Sequence, residues 1–244
     1  MGIEHESWMS RTELLLGEEN LGKLKNAHVL VAGLGGVGAY AAEQICRAGV
    51  GKMTIVDGDT IAESNKNRQL PAMSSTIGLR KVDVMAQRLK DINPSLELIA
   101  VDDYLKNEKI DELLSQHFDY VVDAIDTLSP KLFFIMKCLE NNLPLVSSMG
   151  SGGKMDPLQV RISDIADSYG CRLAHFIRKR LHKRGIRSGF KVVFSPEAVD
   201  KERIVLTTGV ANKKSNIGTI SYMPALFGCF CASVVIRELV KNED

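Results

Sequence analysis

Several features that assign a sequence to a particular class are missing from these 244 residues. The five cysteines are an odd number and include no C-x-x-C pair, which argues against a disulfide framework and against a cysteine-based zinc site. The net charge is only +1, so the overall charge favours neither a nucleic-acid-binding protein nor a membrane-surface protein. The local distribution of charge is therefore the more informative property.

No segment has the pattern expected of a targeting sequence or a membrane span. Residues 1–20 contain no basic region followed by an apolar region, so we expect no secretory signal. The longest apolar stretch, residues 223–236, is shorter than the roughly 18 residues that a spanning helix needs, and we interpret it as a buried core or dimer-interface helix. We expect a soluble, cytoplasmic protein without a membrane partner, in which Cys229 and Cys231 act as small core side chains.

From residue 28 onward, short apolar runs alternate with amphipathic segments. The runs predict strands at 28–33, 52–57, 96–101, 119–125 and 143–149, and the amphipathic segments predict helices at 36–47, 81–92, 107–116 and 129–142. Apolar strands joined by helices are typical of a doubly wound, Rossmann-like α/β fold, a mostly parallel sheet with helices on both faces. Such a sheet binds its ligands beyond the carboxyl ends of its strands.

The pattern divides the chain into three segments of one compact unit. Residues 1–26 are predicted to form an N-terminal helical arm, with the helix itself at 10–24, and residues 27–150 form the nucleotide-binding core. Residues 151–244 form a C-terminal α+β extension for substrate binding and dimerisation. Within it we predict strands at 159–163, 190–195 and 203–208, a basic helix at 172–184, and a closing apolar helix from residue 223.

A glycine-rich loop follows the first predicted strand. Gly33 allows a tight turn, Gly35 lets the backbone approach a phosphate, and Gly38 allows close packing of a helix on a strand. Asp57, at the end of the second strand, is placed to accept hydrogen bonds from a ribose hydroxyl. These features suit NAD, FAD, S-adenosylmethionine and ATP equally, so they indicate an adenine nucleotide and no particular chemistry.

Polar residues beyond this motif favour ATP among those nucleotides. They follow consecutive strands and comprise Asp59, Asn65, Arg68, Gln69, Lys81 and Asp126. A dehydrogenase has little use for such groups near the phosphates, whereas two cations and a carboxylate that holds Mg²⁺ suit the cleavage of a triphosphate. Individually, Arg68 and Lys81 are also explained as solvated charges at helix ends, and Asp126 as a helix N-cap.

The motifs G-L-G-G-V-G, D-G-D-T-x-x-x-S-N-x-x-R-Q, G-L-R-K-V and D-A-I-D resemble those of the ubiquitin-activating-like adenylating enzymes. The resemblance implies that Asp57 holds the ATP ribose, that Asn65, Arg68 and Lys81 contact the phosphates, and that Asp126 binds Mg²⁺. It also implies a homodimer in which Arg11 of one subunit reaches the ATP of the other. The full set of ATP-binding residues implied is Gly33, Gly35, Gly36, Gly38, Asp57, Asp59, Asn65, Arg68, Gln69 and Lys81, with Arg11, Arg68, Lys81 and Asp126 as the catalytic group.

The second half of the sequence separates the subfamilies. Sulfur-carrier activators usually contain paired C-x-x-C zinc ligands, whereas this sequence has D-A-I-D-T-L-S-P-K, G-S-G-G-K-M-D-P and V-V-F-S-P-E instead. These motifs resemble those of the tRNA threonylcarbamoyladenosine dehydratases. The resemblance implies adenylation of the threonyl carboxylate by ATP, followed by intramolecular closure of an oxazolone ring with release of AMP.

A basic segment at residues 171–191 supports a tRNA partner. It contains eight cations and no acidic residue: Arg172, Arg178, Lys179, Arg180, Lys183, Arg184, Arg187 and Lys191. In a protein of nearly neutral net charge, such a cluster favours a surface that faces phosphates, and the first seven are our predicted tRNA-binding residues. The alternative is a merely solvated helix face.

Three other functions stay open at this stage. The nearest is an adenylating enzyme for the C-terminus of a ubiquitin-like sulfur-carrier protein. The others are an NAD-dependent oxidoreductase and a non-enzymatic ATP-binding scaffold for sulfur-transfer partner proteins.

Overall fold

Short apolar strands form the centre of the molecule, and the computed structural model describes residues 7–105, 107–200, 202, 204–206 and 215–241. The elements of the first half are α1 (Ser10–Leu16), α2 (Glu18–Asn26), β1 (His28–Ala32), α3 (Gly38–Arg47), β2 (Lys52–Val56), α4 (Lys81–Ile92), β3 (Glu97–Val101), α5 (Asn107–Leu114), β4 (Tyr120–Asp123), α6 (Leu128–Glu140) and β5 (Leu145–Ser148). The elements of the second half are β6 (Arg161–Asp164), α7 (Arg172–His182), β7 (Lys191–Phe194), β8 (Ile204–Leu206), β9 (Ser215–Ile217) and α8 (Tyr222–Leu239).

Seven of these strands form one sheet in the order β3-β2-β1-β4-β5-β7-β6. All neighbours are parallel except β6, which runs antiparallel to β7 at the edge. The predicted doubly wound α/β fold is confirmed. Its strand order reverses between β1 and β4, and the loops that leave these two strands open a crevice at their carboxyl ends.

The side chains of β1 show why helices cover both faces of the sheet. Val29 and Val31 are fully buried in one core with side chains of α3, α4 and α8. Leu30 and Ala32 are fully buried in the opposite core with side chains of α5, α6 and α7. A strand that is apolar on both faces must be covered on both, and this explains its continuous apolar run.

The N-terminal arm differs from the single helix predicted at residues 10–24. Gly17, with φ of +80°, ends α1, and α2 begins at the next residue. This left-handed conformation is available to glycine at little cost, so the chain changes direction there. Met9 is buried against Gly49 and anchors the start of α1.

The C-terminal part adds to the same sheet through β6 and β7. The structure confirms the basic helix, the closing apolar helix α8, and strands that overlap the predicted 159–163 and 190–195, although β6 begins at Arg161 and ends at Asp164. Residues 204–206 of the third predicted strand pair with β9 in a separate hairpin, and the rest of that prediction lies outside the described residues. The division at residues 26 and 150 stays a prediction.

Among the described residues, α8 is the one helix whose length and apolar composition would allow it to cross a membrane. A core helix passes the same test, and α8 packs along α3 and against β4, β5 and β7. A Cβ atom on Gly228 would lie 2.4 Å from the Val37 carbonyl oxygen and 2.8 Å from the Tyr40 Cβ. The missing side chain therefore allows α8 and α3 to approach closely.

We expect Gly228→Ala to lower the free energy of unfolding by about 1–3 kcal/mol, because the added methyl group forces α8 away from α3. Urea denaturation of the purified variant measures the change. The matched control is Gly22→Ala in α2, where a Cβ would meet no atom of another described residue outside the helix backbone within 4 Å, and where alanine is expected to stabilise the helix by roughly 0.5–1 kcal/mol. Equal stability of Gly228→Ala and the parent protein would contradict this view of the helix contact.

Candidate nucleotide-binding site

The glycine-rich loop connects the end of β1 to the start of α3. Gly33 has a φ of +90°, and a Cβ atom there would lie 3.0 Å from the Ala124 carbonyl oxygen at the end of β4. A Cβ on Gly38 would lie only 1.7 Å from the Gly33 carbonyl oxygen. Both glycines are therefore required by the geometry of the turn, which places the first turn of α3 beside the crevice.

The two remaining glycines of the loop have different surroundings. At Gly35, an added Cβ would lie 3.8 Å from the Gln69 side-chain nitrogen and would meet no other described residue within 4 Å apart from its neighbours in the chain, so the backbone there is open to an approaching group. A Cβ on Gly36 would lie 2.9 Å from the Pro224 Cβ in α8. Gly36, predicted as a nucleotide-binding residue, thus also has a packing role because α8 lies against the loop.

Asp57 and Asp59 follow β2 and share one buried ammonium group. The Lys81 Nζ lies 2.7 Å from Asp59 Oδ2 and 3.9 Å from Asp57 Oδ1, and the lysine is only 5% exposed. The interpretation of Lys81 as a solvated helix-end charge is therefore wrong. The ammonium group joins the two carboxylates at the mouth of the crevice.

Backbone and side-chain donors fix the two carboxylates in place. Asp57 accepts hydrogen bonds from the Leu34 N–H at 2.6 Å and the Asp59 N–H at 2.8 Å. Burial raises the pKa of Asp57, although Lys81 and these N–H groups oppose the rise. Burial alone would also raise the pKa of Asp59. Its pKa is nevertheless below the ordinary value, because Lys81 donates a hydrogen bond and a positive charge to the carboxylate and the Tyr104 hydroxyl donates a second hydrogen bond. Tyr104, whose hydroxyl donates to Asp59 Oδ1 at 2.9 Å, is a site residue that sequence reasoning missed.

The segment after Asp59 forms a compact turn around Asn65. The Asn65 side-chain oxygen accepts from the Ala62 N–H at 3.0 Å, and its carbonyl oxygen accepts from the N–H groups of Arg68 and Gln69 at 3.0 and 2.9 Å. This turn brings the Arg68 Cγ to 3.5 Å from where a Cβ of Gly36 would stand, and the Gln69 amide beside Gly35. The Arg68 guanidinium itself donates to the Ser64 carbonyl oxygen at 3.0 Å and to Asn67 Oδ1 at 2.7 Å. The Gln69 Oε1 atom is buried and finds no hydrogen-bond partner among the described residues, so a polar group here is left available to a ligand.

Asp126 stands in the loop that leaves β4 on the other side of the crevice. Helix α6 begins at Leu128 with Thr127 at its N-cap, so the interpretation of Asp126 as the helix N-cap is wrong. Asp126 is exposed. The described residues contain no cluster of three or more metal-ligating side chains.

A buried ion pair lies beneath the Asp126 loop, and sequence reasoning did not find it. Lys131 Nζ lies 2.8 Å from Asp123 Oδ2, and both side chains are fully buried. The same ammonium donates to the Ile125 carbonyl oxygen at 3.1 Å, while the Ser147 hydroxyl donates to Asp123 Oδ2 at 2.6 Å. Lys131 thus ties the loop that carries Asp126 to strands β4 and β5.

Arg11 lies on the exposed surface of α1. Among the described residues no hydrogen bond or ion pair joins it to the glycine-rich loop. Its neighbours in the chain include strongly exposed apolar side chains: Trp8 is 54% exposed, Leu14 87% and Leu15 82%. Such a group of apolar side chains on a short helix is typical of a surface that another protein covers.

The basic segment is mostly, but not entirely, on the surface. Its exposed cations are Arg172, Lys179, Arg180, Lys183, Arg184, Arg187 and Lys191. Arg178 is half-buried, and its guanidinium contacts the carbonyl and hydroxyl oxygens of Ser168 instead. Arg178 thus differs from the other six predicted tRNA-binding residues, whose side chains are exposed, and its contact with RNA stays a prediction.

The cysteines lack the environment of a reactive thiol. Cys46, Cys138, Cys171 and Cys231 are buried, and Cys229 is half-buried. Burial raises the pKa of Cys46 to about 11 and that of Cys231 to about 12, and it also raises the pKa of Cys138 and Cys229. Raised pKa values disfavour the nucleophilic thiolate, in agreement with the expected core role of Cys231.

Together these loops form a crevice that suits a nucleoside triphosphate. It offers an open backbone at Gly35, paired carboxylates at one end, an unsatisfied amide at Gln69, and an exposed carboxylate at Asp126. Carboxylates accept hydrogen bonds from ribose hydroxyl groups, whereas the backbone N–H groups at the start of a helix suit phosphate oxygens.

Comparison with known proteins identifies the family. The family model described as ThiF matches residues 9–244. The chain belongs to the ThiF family.

Relatives within the family match over nearly the whole chain. The chain is 38% identical over 240 residues to the tRNA threonylcarbamoyladenosine dehydratase of Bacillus subtilis, a match that covers 96% of this chain and 94% of that protein. It is 38% identical over 258 residues to the Escherichia coli protein of the same name, covering 97% of this chain and 96% of that one. The crystal structure of the Escherichia coli dehydratase TcdA in complex with ATP superposes with a TM-score of 0.85 at 33% identity, covering 98% of this chain and 97% of that chain.

We expect Lys131→Met to lower the free energy of unfolding by about 3–5 kcal/mol, because it leaves the Asp123 carboxylate buried without a cation. Chemical denaturation measures this change. The double variant Asp123→Asn, Lys131→Met removes both charges, and its free energy of unfolding is expected to fall by less than that of Lys131→Met alone. If the double variant is the less stable of the two, the ion pair does not have the role given to it here.

Proposed function

We propose that this ThiF-family chain is an ATP-dependent tRNA threonylcarbamoyladenosine dehydratase. The observation that carries the proposal is the extent of the similarity: it runs through the C-terminal part, beyond the adenylation motifs, to relatives that bear this name. The exposed cations of residues 172–191 suit a tRNA substrate, and a tRNA substrate agrees with the cytoplasmic location expected from the sequence.

In this proposal residues 27–150 bind ATP and residues 151–244 contribute to the binding of the RNA. Asp57 accepts the ribose hydroxyl groups while Lys81 keeps Asp57 and Asp59 together. Gly35 and the first turn of α3 face the phosphates, with Arg68 and the Gln69 amide beside them. Asn65 acts mainly by shaping the turn that presents Arg68 and Gln69.

The residues present also fit a magnesium ion. Mg²⁺ is usually bound by one or two carboxylates together with substrate phosphates, and Asp126 is an exposed carboxylate on the loop that faces the glycine-rich loop across the crevice. When bound, the ion would neutralise charge on the phosphates. Asp126 would hold it, and Lys131 would hold the loop of Asp126 in place.

The reaction then follows from the chemistry of a carboxylate. One oxygen of the threonyl carboxylate attacks the α-phosphorus of ATP, the bond to the β-phosphate oxygen breaks, and pyrophosphate leaves. The carbamoyl oxygen next attacks the activated carbonyl carbon, and a carbamoyl N–H gives its proton to water as the C=N bond of the oxazolone ring forms. The bond from the carbonyl carbon to the adenylate oxygen breaks, so AMP leaves with that carboxylate oxygen. Both reacting groups belong to one nucleoside, so the ring closes at a high effective molarity and needs no enzyme nucleophile. The raised cysteine pKa values agree with this scheme.

A second subunit completes the site in this proposal. Arg11 lies beside the exposed Trp8, Leu14 and Leu15, and burial of this surface in a homodimer would carry the arginine toward the neighbouring crevice. Its guanidinium would then stabilise charge on the departing pyrophosphate. Sulfur-transfer proteins stay candidate partners predicted from the family resemblance alone.

The competing adenylating function is less well supported. An activator of a sulfur-carrier protein shares the ATP-binding loops but gives no role to the cationic surface of α7. It predicts ATP–pyrophosphate exchange that depends on a carrier protein and is indifferent to tRNA. The oxidoreductase alternative has no use for Arg68, Lys81 and Asp126.

The test of the proposal is mass spectrometry of tRNA nucleosides after incubation with protein, ATP and Mg²⁺. The parent protein is expected to remove one water from threonylcarbamoyladenosine. Asp126→Ala is expected to lower the rate by at least about a hundredfold, because loss of charge stabilisation at a phosphate is of this size. The control Asp91→Ala removes an exposed carboxylate of α4 and is expected to keep the parent rate.

Two results would count against the proposal. If the parent protein leaves threonylcarbamoyladenosine unchanged while ATP is consumed in the presence of a carrier protein, the activator function is correct. If Asp126→Ala turns over at the parent rate, the magnesium site lies elsewhere.

The shared site predicts complementation between inactive variants. Arg11→Ala and Asp126→Ala should each retain little activity alone. When the two are unfolded, mixed in equal amounts and refolded, half of the dimers carry one intact site, so about a quarter of the parent activity should return. Mixing Asp126→Ala with itself is the control. Absence of any recovery in dimers shown to have exchanged subunits would place Arg11 in the site of its own chain.

A further inference from the structure

Helix α7 exposes an aromatic ring in the middle of its cations. Phe176 is 37% exposed, and the Arg172 guanidinium carbon lies 5.6 Å from the centre of its ring. The His175 ring meets the same ring edge-on, with 5.9 Å between centroids. The inward face of α7 is formed by Ala174, Ile177 and Leu181, which are buried.

The exposed residues of α7 follow the period of the helix. Phe176 is followed at three, four and seven positions by Lys179, Arg180 and Lys183, which therefore lie on the same side of the helix. At 1.5 Å per residue, the ring and Lys183 are separated by about 10 Å along the helix axis. Within the part of the chain that the structure describes, no ion pair joins these three cations to a carboxylate.

The start of α7 lies at the same edge of the sheet as the crevice. The Leu173 Cβ is 3.9 Å from where a Cβ of Gly150 would stand, and Gly150 follows β5 at its carboxyl end. The carboxyl ends of β1, β4 and β5 meet at one edge of the parallel sheet, so this is the edge that carries the crevice. The stripe of Phe176 and the three cations thus begins near the crevice and runs away from it.

An exposed ring flanked by cations is the arrangement by which proteins bind single-stranded RNA. Unpaired bases stack on aromatic side chains and on arginine planes, while cations follow the phosphates. A merely solvated helix face explains the cations but not the ring, since polar side chains serve that purpose better. Arg178 shows the contrast, because it lies beside Ile177 at the border of the buried face and contacts Ser168.

We propose that Phe176, with Arg172 against its ring, stacks on an unpaired base of the RNA loop that enters the crevice, and that Lys179, Arg180 and Lys183 hold the phosphates beyond that base. The inference rests on the proposed tRNA substrate. It goes further, because it assigns one base contact and the path of the RNA backbone along α7.

The test measures the affinity of the full-length protein for an anticodon stem-loop RNA by fluorescence anisotropy at several salt concentrations. Phe176→Ala should weaken binding about tenfold without changing the salt dependence, since stacking releases no counterions. Phe176→Tyr keeps the ring and should bind as the parent does. Lys183→Gln should weaken binding and lower the salt slope by about one unit. Leu158→Ala, which removes an exposed apolar side chain outside α7, is the control.

A second arm identifies the stacked base. Stem-loop RNAs with a single abasic position are compared on the parent protein and on Phe176→Ala. One abasic position should weaken binding to the parent about tenfold and leave binding to Phe176→Ala unaffected, because the contact is already lost. If the loss of affinity caused by Phe176→Ala and the loss caused by the abasic position multiply at every position, no base stacks on this ring. The same conclusion follows if Phe176→Ala binds RNA as the parent does.

Turnover separates this inference from the proposed function. At saturating RNA, Phe176→Ala should dehydrate threonylcarbamoyladenosine at the parent kcat with a raised KM. A protein that shows the expected RNA binding without dehydration would overturn the proposed reaction and leave the stacking contact in place. If the parent protein dehydrates its substrate and Phe176→Ala has an unchanged KM, the proposed reaction stands and the stacking contact is overturned.

Discussion

The closest backbone approach in the crevice is that of the first turn of α3 to the end of β1. A Cβ on Gly38 would lie 1.7 Å from the Gly33 carbonyl oxygen, so no other residue fits there without a shift of the helix. Because α3 is held in this position, α8 can lie against it at Gly228 and reach the glycine-rich loop through Pro224. The C-terminal part of the chain is thus attached to the glycine-rich loop.

Two buried lysines organise the opposite sides of the crevice. Lys81 joins Asp57 and Asp59 after β2, and Lys131 joins Asp123 to the carbonyl of Ile125 after β4. A buried ammonium group is costly unless carboxylates and carbonyl oxygens surround it, so each of these loops is held by the partners that its lysine requires. The surface residues proposed to meet phosphate and metal are therefore presented by well-supported backbone.

Much of this arrangement was predictable from the sequence, because apolar runs and glycine spacing reflect backbone geometry directly. The five parallel strands and the glycine turn at Gly33 are of this kind. The antiparallel direction of β6 and the pairing of β9 depend on long-range contacts that no local pattern encodes. The ion pair of Lys131 with Asp123 is not predictable in this way, because charged residues are seldom fully buried. The partly inward position of Arg178 is predictable, because the residue lies four positions after Ala174 and three before Leu181, which are both buried.

The central claim is that ATP activates a carboxylate of the tRNA nucleoside and that ring closure expels that oxygen with AMP. The most direct measurement places a heavy oxygen isotope in the threonyl carboxylate of the substrate tRNA and follows it by mass spectrometry during a single turnover. We predict that for each cyclised nucleoside one labelled oxygen is found in AMP and that pyrophosphate is unlabelled. Label in inorganic phosphate with formation of ADP, or AMP without label, would contradict the account.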